Sequence, residues 1–458
     1  MEIKGKPLID VHEHIFRGRD IPLKGYLYSR KYENLPLVRI FGKFFHFLTP
    51  VARCVQYGGR NNKRSLWCKI IFGIATLALG KGYRRWGEIM SLPDIIDVYK
   101  ELAKDYAKDK VDLFVPLLLD YEYWFKNTYD TCVKNQIDMT CDDVVVPMAG
   151  RVHPFVPFCP ARELAFRKKM LAPDGSRERY SSLELVKKAI NEQGFIGVKL
   201  YPALGYRPVG NTEVDKQRRK KIFRHNNMKQ YMEFTGKEID GALDELFRYC
   251  EKEQVPITAH CVSGGIEAFH NASYVFGAPR YWDKVLKKYP RLHLNLAHFG
   301  WTGKERYNAK GTKGQKPWVK EICEMLEKYG DLYIDSGHHM VTTKSLKKEF
   351  IEDWPSIIKD HGNVVKKRFL YGVDWHVFAK EENYKNFKED YCKILKENNL
   401  FSNTDIDDFL GRNAVHFLGL LPKKAKQKDG WNKNRLRLEA FYKKHKIKPP
   451  KWFVETGR

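Results

Sequence analysis

The chain is 458 residues long and 43% of its residues are hydrophobic, which excludes a disordered tail or a small disulfide-stapled domain and requires at least one large core. Its 82 lysine and arginine residues against 56 aspartate and glutamate residues give a formal net charge of +26. Such a charge attracts anionic substrates, phosphate or membrane headgroups, but it does not identify a function. The length fits one long domain with insertions or two domains of ordinary size.

Neither the cysteines nor the apolar runs indicate export or a membrane span. The nine cysteines form no CxxC pair and no zinc-finger spacing, and no secretory leader precedes them. The longest uncharged apolar run, residues 70–80, has 11 residues, whereas a spanning helix needs about 20. We therefore expect a cytoplasmic protein with free thiols.

Short apolar or β-rich runs recur along the chain and alternate with amphipathic segments from about residue 91 onward. Eight runs are predicted as strands: residues 7–15, 111–119, 152–158, 195–201, 256–261, 292–299, 332–335 and 369–374. Helices are predicted over residues 181–192, 237–252, 281–288, 316–328, 344–359 and 383–396. Eight such α/β units close most simply as a (β/α)8 TIM barrel. An open doubly wound sheet is the alternative, but no GxGxxG follows the first strand, which weakens its dinucleotide-binding version.

Three segments interrupt this alternation. We assign residues 1–422 to the barrel, with a large insertion at about 17–90 and a smaller one at about 207–236, and residues 423–458 to a basic C-terminal extension. The large insertion has 15 basic and 3 acidic residues and the extension has 13 and 3, so these two segments account for most of the net charge. The predicted barrel itself is close to neutral.

The large insertion starts directly after the first strand and so begins beside the predicted site. Its aromatic residues and its apolar run would either line a substrate pocket or form a core within the insertion, and the basic residues flanking the run would also suit a membrane surface. The extension combines basic and aromatic residues, but no nucleic-acid-binding module accompanies it. Capture of an anionic substrate is therefore favoured over nucleic-acid binding as the role of the charge.

Two histidines separated by one residue lie at the end of the first predicted strand. In a strand, His12 and His14 share a face, so both imidazoles can reach one metal ion, although two unrelated histidines would give the same pattern. His260, His298 and Asp374 end the fifth, sixth and eighth strands. Barrel active sites lie at the carboxyl ends of the strands, so a shared site is favoured over a helix cap for Asp374 or a core histidine for His298.

Seven short motifs follow one another along the chain: IDVHEH at residues 9–14, PFVPF at 154–158, GVKLYP at 197–202, TAHC at 258–261, LAHFG at 296–300, LYGVDW at 370–375 and GRNA at 411–414. This ordered set resembles the amidohydrolase superfamily of metal-dependent barrel hydrolases, and within it amidohydrolase family two, which includes aminocarboxymuconate-semialdehyde decarboxylase and related decarboxylases. The resemblance covers the first strand and about residues 110–420. The large insertion and the extension fall outside it.

The resemblance implies a metal site and assigns residues to it. In one-metal members, two strand-one histidines, the strand-five histidine and the strand-eight aspartate hold a Zn²⁺-like ion, which gives His12, His14, His260 and Asp374 here. It also makes His298 the residue that contacts the attacking water or the substrate. Asp374 would accept the proton of that water as a general base. Nitrogen ligands with a carboxylate suit Zn²⁺, while Mn²⁺, Fe²⁺ and Co²⁺ stay open.

Lys199 has three interpretations. Two-metal members of the superfamily place a carboxylated lysine that bridges the two ions at the end of strand four, where Lys199 lies. One-metal relatives carry the same Gly-Val-Lys-Leu pattern, and there the lysine contacts substrate without carboxylation. A lysine that reaches out to solvent from the strand end is the third interpretation. One metal ion is favoured over two.

Three further histidines are candidate substrate-binding residues. His338 and His339 follow strand seven and would bind an anion or a leaving group, and His376 stands where relatives more often have proline, with an ordinary loop histidine as its alternative. His153 begins strand three, at the opposite end of the barrel, and we expect it to be structural. Glu13 points away from its histidine neighbours and should meet a cation behind the strand.

These observations favour a metal-dependent hydrolase that cleaves an amide, ester or related bond of a small, anionic or aromatic molecule. A non-oxidative decarboxylase of a carboxylated aromatic or related acid is the alternative within the same family. A basic scaffold that binds nucleic acid or lipid and keeps a vestigial site is the alternative of another class, and the intact set of candidate ligands argues against it. Whether the protein forms a homo-oligomer stays open.

Overall fold

A computed structural model describes residues 5–21, 85–90, 92–124, 131–172, 179–214, 234–268, 271–422 and 432–456. Most of the two predicted insertions and the first part of the C-terminal extension lie outside the described residues. The interpretations of the large insertion as a pocket wall, a separate core or a membrane-surface segment therefore stay predictions. Within the described parts, no helix combines the length and the apolar character needed to cross a membrane.

The strands follow the chain as one parallel series in which every residue is buried. They are β1 (Ile9–Glu13), β2 (Leu113–Pro116), β3 (Phe155–Pro157), β4 (Gly197–Leu200), β5 (Ile257–His260), β6 (Leu294–Ala297), β7 (Leu332–Asp335) and β8 (Phe369–Leu370). Strand β1 pairs with β2, and strands β3 to β8 pair in sequence order. Strands without a solvent-exposed face are typical of a parallel sheet that is covered by helices.

Backbone hydrogen bonds close this series into a ring. Leu118 N donates to Phe155 O at 3.1 Å and thereby joins the end of β2 to β3. On the other side, Val11 N donates to Tyr371 O at 3.0 Å and His14 N to Trp375 O at 2.8 Å, which joins β1 to the end of β8. The fold is thus an eight-stranded α/β TIM barrel, and the fold prediction is confirmed.

Helices cover the outside of the barrel. Among the described residues the α-helices are α1 (Ile95–Asp105), α2 (Val133–Thr140), α3 (Pro160–Arg167), α4 (Ser182–Glu192), α5 (Gly236–Glu253), α6 (Ala272–Phe276), α7 (Arg280–Lys288), α8 (Trp318–Lys328), α9 (Lys344–Arg368), α10 (Phe387–Lys396), α11 (Asn403–Asp407), α12 (Asn413–Phe417), α13 (Lys433–Lys444) and α14 (Lys451–Glu455). Residues 85–90 are also helical. Five of the six predicted helices agree within a few residues, but α9 runs nine residues past its predicted end at residue 359.

Local sequence sets where these helices begin. At the start of α5, the Thr235 hydroxyl accepts a hydrogen bond from Glu238 N at 3.2 Å, and the Glu238 carboxylate accepts one from Thr235 N at 2.8 Å. This reciprocal cap satisfies two backbone donors that the first turn would otherwise leave open. At the start of α4, Ser181 Oγ accepts from Glu184 N at 3.1 Å.

The C-terminal helices close the amino end of the barrel. The side chain of Asn434, on α13, donates to Ile196 O and Leu418 O at 2.6 and 2.8 Å. Arg435 donates to Leu420 O at 3.0 Å and to Phe453 O at 2.9 Å. The apolar side chains that the two helices bury against the barrel floor are Leu438, Phe441, Tyr442, Trp452 and Phe453. Residues 432–456 of the basic extension are therefore packed against the barrel, whose floor they cover.

Candidate active site at the carboxyl ends of the strands

The barrel brings the five principal candidate residues together at one end. The imidazole centroids of His12 and His298 lie 4.6 Å apart, those of His260 and His298 4.8 Å, and those of His12 and His14 5.6 Å. Asp374 reaches the same cluster, with Oδ1 3.2 Å from His14 Nε2. All five side chains are buried. They form a single polar cluster at this end of the barrel.

Three of these residues present donor atoms to a common point. One ligand atom each from His12, His14 and Asp374 lies within 4.8 Å of the other two. His12 Nε2 is buried and has no hydrogen-bond partner among the described residues, and it lies 3.8 Å from Asp374 Oδ1. Two imidazole nitrogens and a carboxylate oxygen form a ligand set that suits Zn²⁺ and related divalent ions. The residues present therefore fit a metal ion.

The remaining ring nitrogens of the two strand-one histidines are held by the barrel. His12 Nδ1 donates to Asp335 Oδ2 at 3.0 Å, and His14 Nδ1 donates to Leu117 O at 2.8 Å. These bonds leave the lone pair of each Nε2 pointing toward the cluster. Metal-binding histidines are commonly oriented in this way, by a partner that accepts a hydrogen bond from the other ring nitrogen.

Asp335 is a site residue that the sequence analysis did not identify. Besides His12, its carboxylate accepts hydrogen bonds from the Asn295 side chain at 2.7 Å and from the backbone N–H groups of His298 and Gly337, both at 2.9 Å. Burial raises the pKa of Asp335, but the interactions with His12 and His298 outweigh it, so the pKa lies below its ordinary value. Its position at the end of β7 was the available signal.

His260 joins the cluster through His298. His260 Nδ1 lies 3.1 Å from His298 Nε2, His260 Nε2 lies 3.1 Å from Gly264 O, and His298 Nδ1 lies 2.9 Å from Gly337 O. Burial lowers the pKa of His260 to about 3 and that of His298 well below its ordinary value, so both rings are neutral near pH 7. The group of residues whose ligand atoms lie within 4.8 Å of one another contains His12, His14 and Asp374. His260, the fourth predicted ligand, is outside that group and is joined to it through the His298 ring.

Asp374 follows β8, which ends at Leu370, and has a strained backbone conformation. Its φ angle is +65°, and His298 and His338 also have positive φ angles of +66° and +56°. Such conformations cost a non-glycine residue about 1 kcal/mol or more and cluster at functional sites. Burial raises the pKa of Asp374, but the neighbouring His14 and His338 side chains and the proximity of His12 outweigh the effect of burial and keep the pKa well below its ordinary value. The carboxylate is therefore ionised.

Lys199 ends β4 with a buried ammonium group. Its Nζ has no hydrogen-bond partner among the described residues and lies 6.0 Å from the centre of the Tyr201 ring. Burial lowers its pKa to about 8, while the carboxylates of Asp335 and Asp374 act in the opposite direction. Lys199 therefore faces the site, which does not fit the interpretation that it reaches out to solvent. Tyr201 stacks on His260, with ring centres 4.2 Å apart.

The three secondary histidines lie in different surroundings. His338 Nδ1 lies 3.1 Å from Asp374 Oδ2, and 29% of the His338 side chain is exposed. It lies at the carboxyl ends of the strands, the end of the barrel that we call the mouth. His339 is buried, and its two ring nitrogens bond Tyr391 Oη at 2.7 Å and His298 O at 3.0 Å. His339 therefore has no free nitrogen for a substrate and instead holds the backbone of His298. His376 is buried beside His14 and Asp374, and burial lowers its pKa to about 3.

The prediction of a cation beside Glu13 is wrong for the described residues. A bulge in β1 places two residues of β1 between Asp10 and Glu13 opposite one residue of β2, so Asp10 and Glu13 come close behind the strand. Burial and the neighbouring Asp10 carboxyl raise the pKa of Glu13 well above its ordinary value. Glu13 is therefore a buried acid whose surroundings favour its protonated form.

Comparisons with solved structures gave distant likenesses. An uncharacterized TIM-barrel protein from Bordetella bronchiseptica is 14% identical, with a TM-score of 0.44 over 90% of this chain and 98% of that chain. An amidohydrolase from Burkholderia multivorans with bound HEPES is 9% identical, with a TM-score of 0.44 over 90% and 99% of the two chains. The same amidohydrolase with bound Zn has a TM-score of 0.39 over 70% and 87%, at 9% identity. No curated protein matches the chain.

The comparison with family models is more direct. The model described as Amidohydrolase matches residues 158–420, which is more than half of the chain. The matched range runs from the end of β3 past β8 and contains Lys199, His260, His298 and Asp374. The chain therefore belongs to the amidohydrolase family of enzymes.

Proposed function

We propose that this protein is a metal-dependent hydrolase that cleaves an amide, ester or related bond of a small anionic or aromatic molecule. The observation that carries the proposal is the convergence of His12, His14 and Asp374, whose ligand atoms lie within 4.8 Å of one another at the carboxyl ends of the strands. The unpartnered, buried Nε2 of His12 supports it, because a buried polar atom without a partner costs about 1–3 kcal/mol unless a ligand satisfies it.

His12, His14 and Asp374 would hold a divalent metal ion, with His260 as the fourth ligand. When bound, such an ion makes a water molecule more acidic and polarises the oxygen of a carbonyl group. One ion is favoured over two. A second group, His12, His298 and Asp335, also has ligand atoms within 4.8 Å, but Asp335 already accepts four hydrogen bonds.

The proton count of His260 and His298 supports a role for His260 as a ligand. Their chain of three contacts runs from Gly264 O through both rings to Gly337 O. Each contact needs one N–H group, but two neutral imidazoles carry only two. One contact therefore lacks a proton, and a cation that takes a lone pair of His260 removes this conflict.

The other side chains have roles that follow from their contacts. Asp374 is ionised, so it can accept a proton from a water molecule in the cluster. His298 touches both His12 and His260 and is placed to contact the water or the substrate. Lys199 offers a cation to an anionic group of the substrate, and His338 faces the mouth beside Asp374. The alternative of a carboxylated, bridging Lys199 belongs to the two-ion version of the site.

Decarboxylation is a second candidate because of Lys199. A buried ammonium without a partner would bind a substrate carboxylate, which a decarboxylase must hold and a hydrolase can use for recognition. The two reactions differ in their products. A hydrolase releases an acid together with an amine or alcohol, whereas a decarboxylase releases CO2.

The test uses the purified full chain reconstituted with Zn²⁺. Panels of aryl esters, amides and lactones and of carboxylated aromatic acids would be incubated with the enzyme, and products would be measured by mass spectrometry and CO2 release. We expect turnover in one panel that falls to background in the His12→Asn/His14→Asn variant and persists in His361→Asn, whose imidazole lies outside the site beside Glu327 and Tyr307. Equal turnover in the wild type and the double variant would contradict the proposal.

A further inference from the structure

His376 is a buried imidazole without a partner. Its side chain is 1% exposed, and neither Nδ1 nor Nε2 has a hydrogen-bond partner among the described residues. Buried polar groups in folded proteins are almost always hydrogen-bonded, because a group left open has lost its bonds to water without gaining a partner. Two open nitrogens on one ring therefore indicate that something outside the described chain satisfies them.

The direction of His376 follows from its neighbour. The Trp375 indole donates to Asp105 Oδ2 at 3.1 Å and is thereby held against helix α1. The ring of His376 meets that indole edge to face, with centres 5.9 Å apart, and packs on Phe16 with centres 4.7 Å apart. Phe16 in turn lies 5.6 Å from His14. An unbroken series of rings thus leads from the proposed metal ligand His14 to His376.

A second aromatic wall comes from the far end of the large insertion. The Trp86 ring meets His376 edge to face, with centres 6.1 Å apart and planes at 84°. The helical segment that carries Trp86 is fixed by Arg85, which donates to Glu101 Oε2 at 2.6 Å and Asp105 Oδ2 at 2.9 Å. Trp86 is therefore held in place by α1.

We propose that His376, Phe16 and Trp86 form a subsite that binds a planar ring of the substrate and hydrogen-bonds a hydroxyl or carbonyl group on that ring. The aromatic side chains supply apolar contact, and a neutral imidazole supplies one donor and one acceptor. A carboxylate does not suit this subsite, because the charge of the Asp374 carboxylate also acts on His376 and would repel it. This inference rests on the proposed function, since the subsite lies beside the proposed metal ligand His14.

Three probe molecules test the subsite: 4-hydroxybenzoate, benzoate and cyclohexanecarboxylate. Their binding to the full chain would be measured by calorimetry after zinc content has been determined for each protein. For the wild type we expect benzoate to bind more tightly than cyclohexanecarboxylate, and 4-hydroxybenzoate to bind about 2–10-fold more tightly than benzoate, the range of one neutral hydrogen bond.

The variants separate the polar from the apolar contribution. His376→Phe should abolish the preference for the hydroxyl group while the zinc content stays that of the wild type, and His376→Asn, which keeps a donor and an acceptor, should retain part of the preference. Phe16→Leu should lower the preference for benzoate over cyclohexanecarboxylate. His361→Phe is the matched control and should behave as the wild type.

Several results would overturn the inference. The first is a preference for the hydroxyl group that survives in His376→Phe, which would indicate that His376 binds only a buried water. The second is the absence of any such preference in the wild type. The third is a wild type that binds none of the three probes. Failure of the proposed function has a different signature, namely a wild type that takes up no zinc. Because the probes compare ring substituents, the subsite can be judged from the same titrations in that case.

Discussion

Two buried histidines at opposite ends of the barrel show how its two faces differ. At the floor, His153 donates through Nδ1 to Gly194 O at 2.8 Å and bonds Tyr442 Oη through Nε2 at 2.7 Å. At the mouth, His376 is equally buried, yet both of its nitrogens are open among the described residues. A satisfied ring stabilises the fold, whereas an open ring is available to a ligand.

The same contrast extends to neighbouring groups. At the floor, the amide of Asn434 donates two hydrogen bonds to backbone carbonyls. At the mouth, His12 Nε2 and Lys199 Nζ are buried without partners among the described residues. The hydrogen bonds of Asn434 at the floor stabilise the fold, whereas the polar atoms of His12 and Lys199 at the mouth are available to a ligand.

The largest expected effect is on thermal stability and comes from removing the two helices that cover the floor. A chain that ends at residue 422 would lose helices α13 and α14 with five buried apolar side chains. Each buried side chain of this kind is worth about 1.5–3 kcal/mol, and a domain has about 5–15 kcal/mol in total. We expect no cooperative thermal unfolding by circular dichroism. A truncated protein that melts like the full chain would show that the floor does not need the extension.

The next prediction compares the two histidines directly. His153→Phe should lower the free energy of unfolding by about 2–5 kcal/mol, because it leaves the Gly194 carbonyl and the Tyr442 hydroxyl buried without partners. His376→Phe removes no protein hydrogen bond and should cost less than about 1.5 kcal/mol, as a swap that conserves volume. Urea unfolding measures both. Equal losses would remove the distinction between the two faces.

A smaller, pH-dependent effect should also belong to the floor. Burial lowers the pKa of His153 to about 4, below the ordinary value of 6.5. Between these values the unfolded chain binds the proton and the folded chain does not, so stability is lost as the pH falls from 6.5 to 4. The difference amounts to about 3 kcal/mol.

The measurement is the unfolding free energy at several pH values in the wild type and in His153→Phe. Other buried histidines titrate in both proteins, so the difference between the two curves isolates His153. We expect the variant to lose less stability on acidification. Parallel curves would show that His153 does not titrate differently in the folded and unfolded states.

Much of the barrel and the centre of the site could be predicted from the sequence. Buried parallel strands appear as short apolar runs, and a histidine or aspartate at the end of such a run must lie at the mouth. For this reason the sequence predicts that His12, His14, His260, His298 and Asp374 share one end of the barrel. In the structure all five side chains lie in one cluster.

What could not be predicted depends on contacts between distant parts of the chain. The position of Asp335 at the end of β7 places it at the mouth, but only tertiary packing shows that it orients His12. His339 and His376 are both histidines near the mouth, but tertiary contacts fill both nitrogens of the first and neither of the second. The extension was interpreted from its charge, although the apolar spacing of Leu438, Phe441 and Tyr442 already indicated a helix with a buried face.

The most direct test of the contrast between mouth and floor is the metal content of the purified full chain. After reconstitution and removal of free metal, elemental analysis should find one equivalent of a divalent transition metal in the wild type and in the floor variant His153→Phe. It should find none in the His12→Asn/His14→Asn variant. A wild type without metal, or a double variant that retains it, would contradict the assignment of the mouth as a metal site.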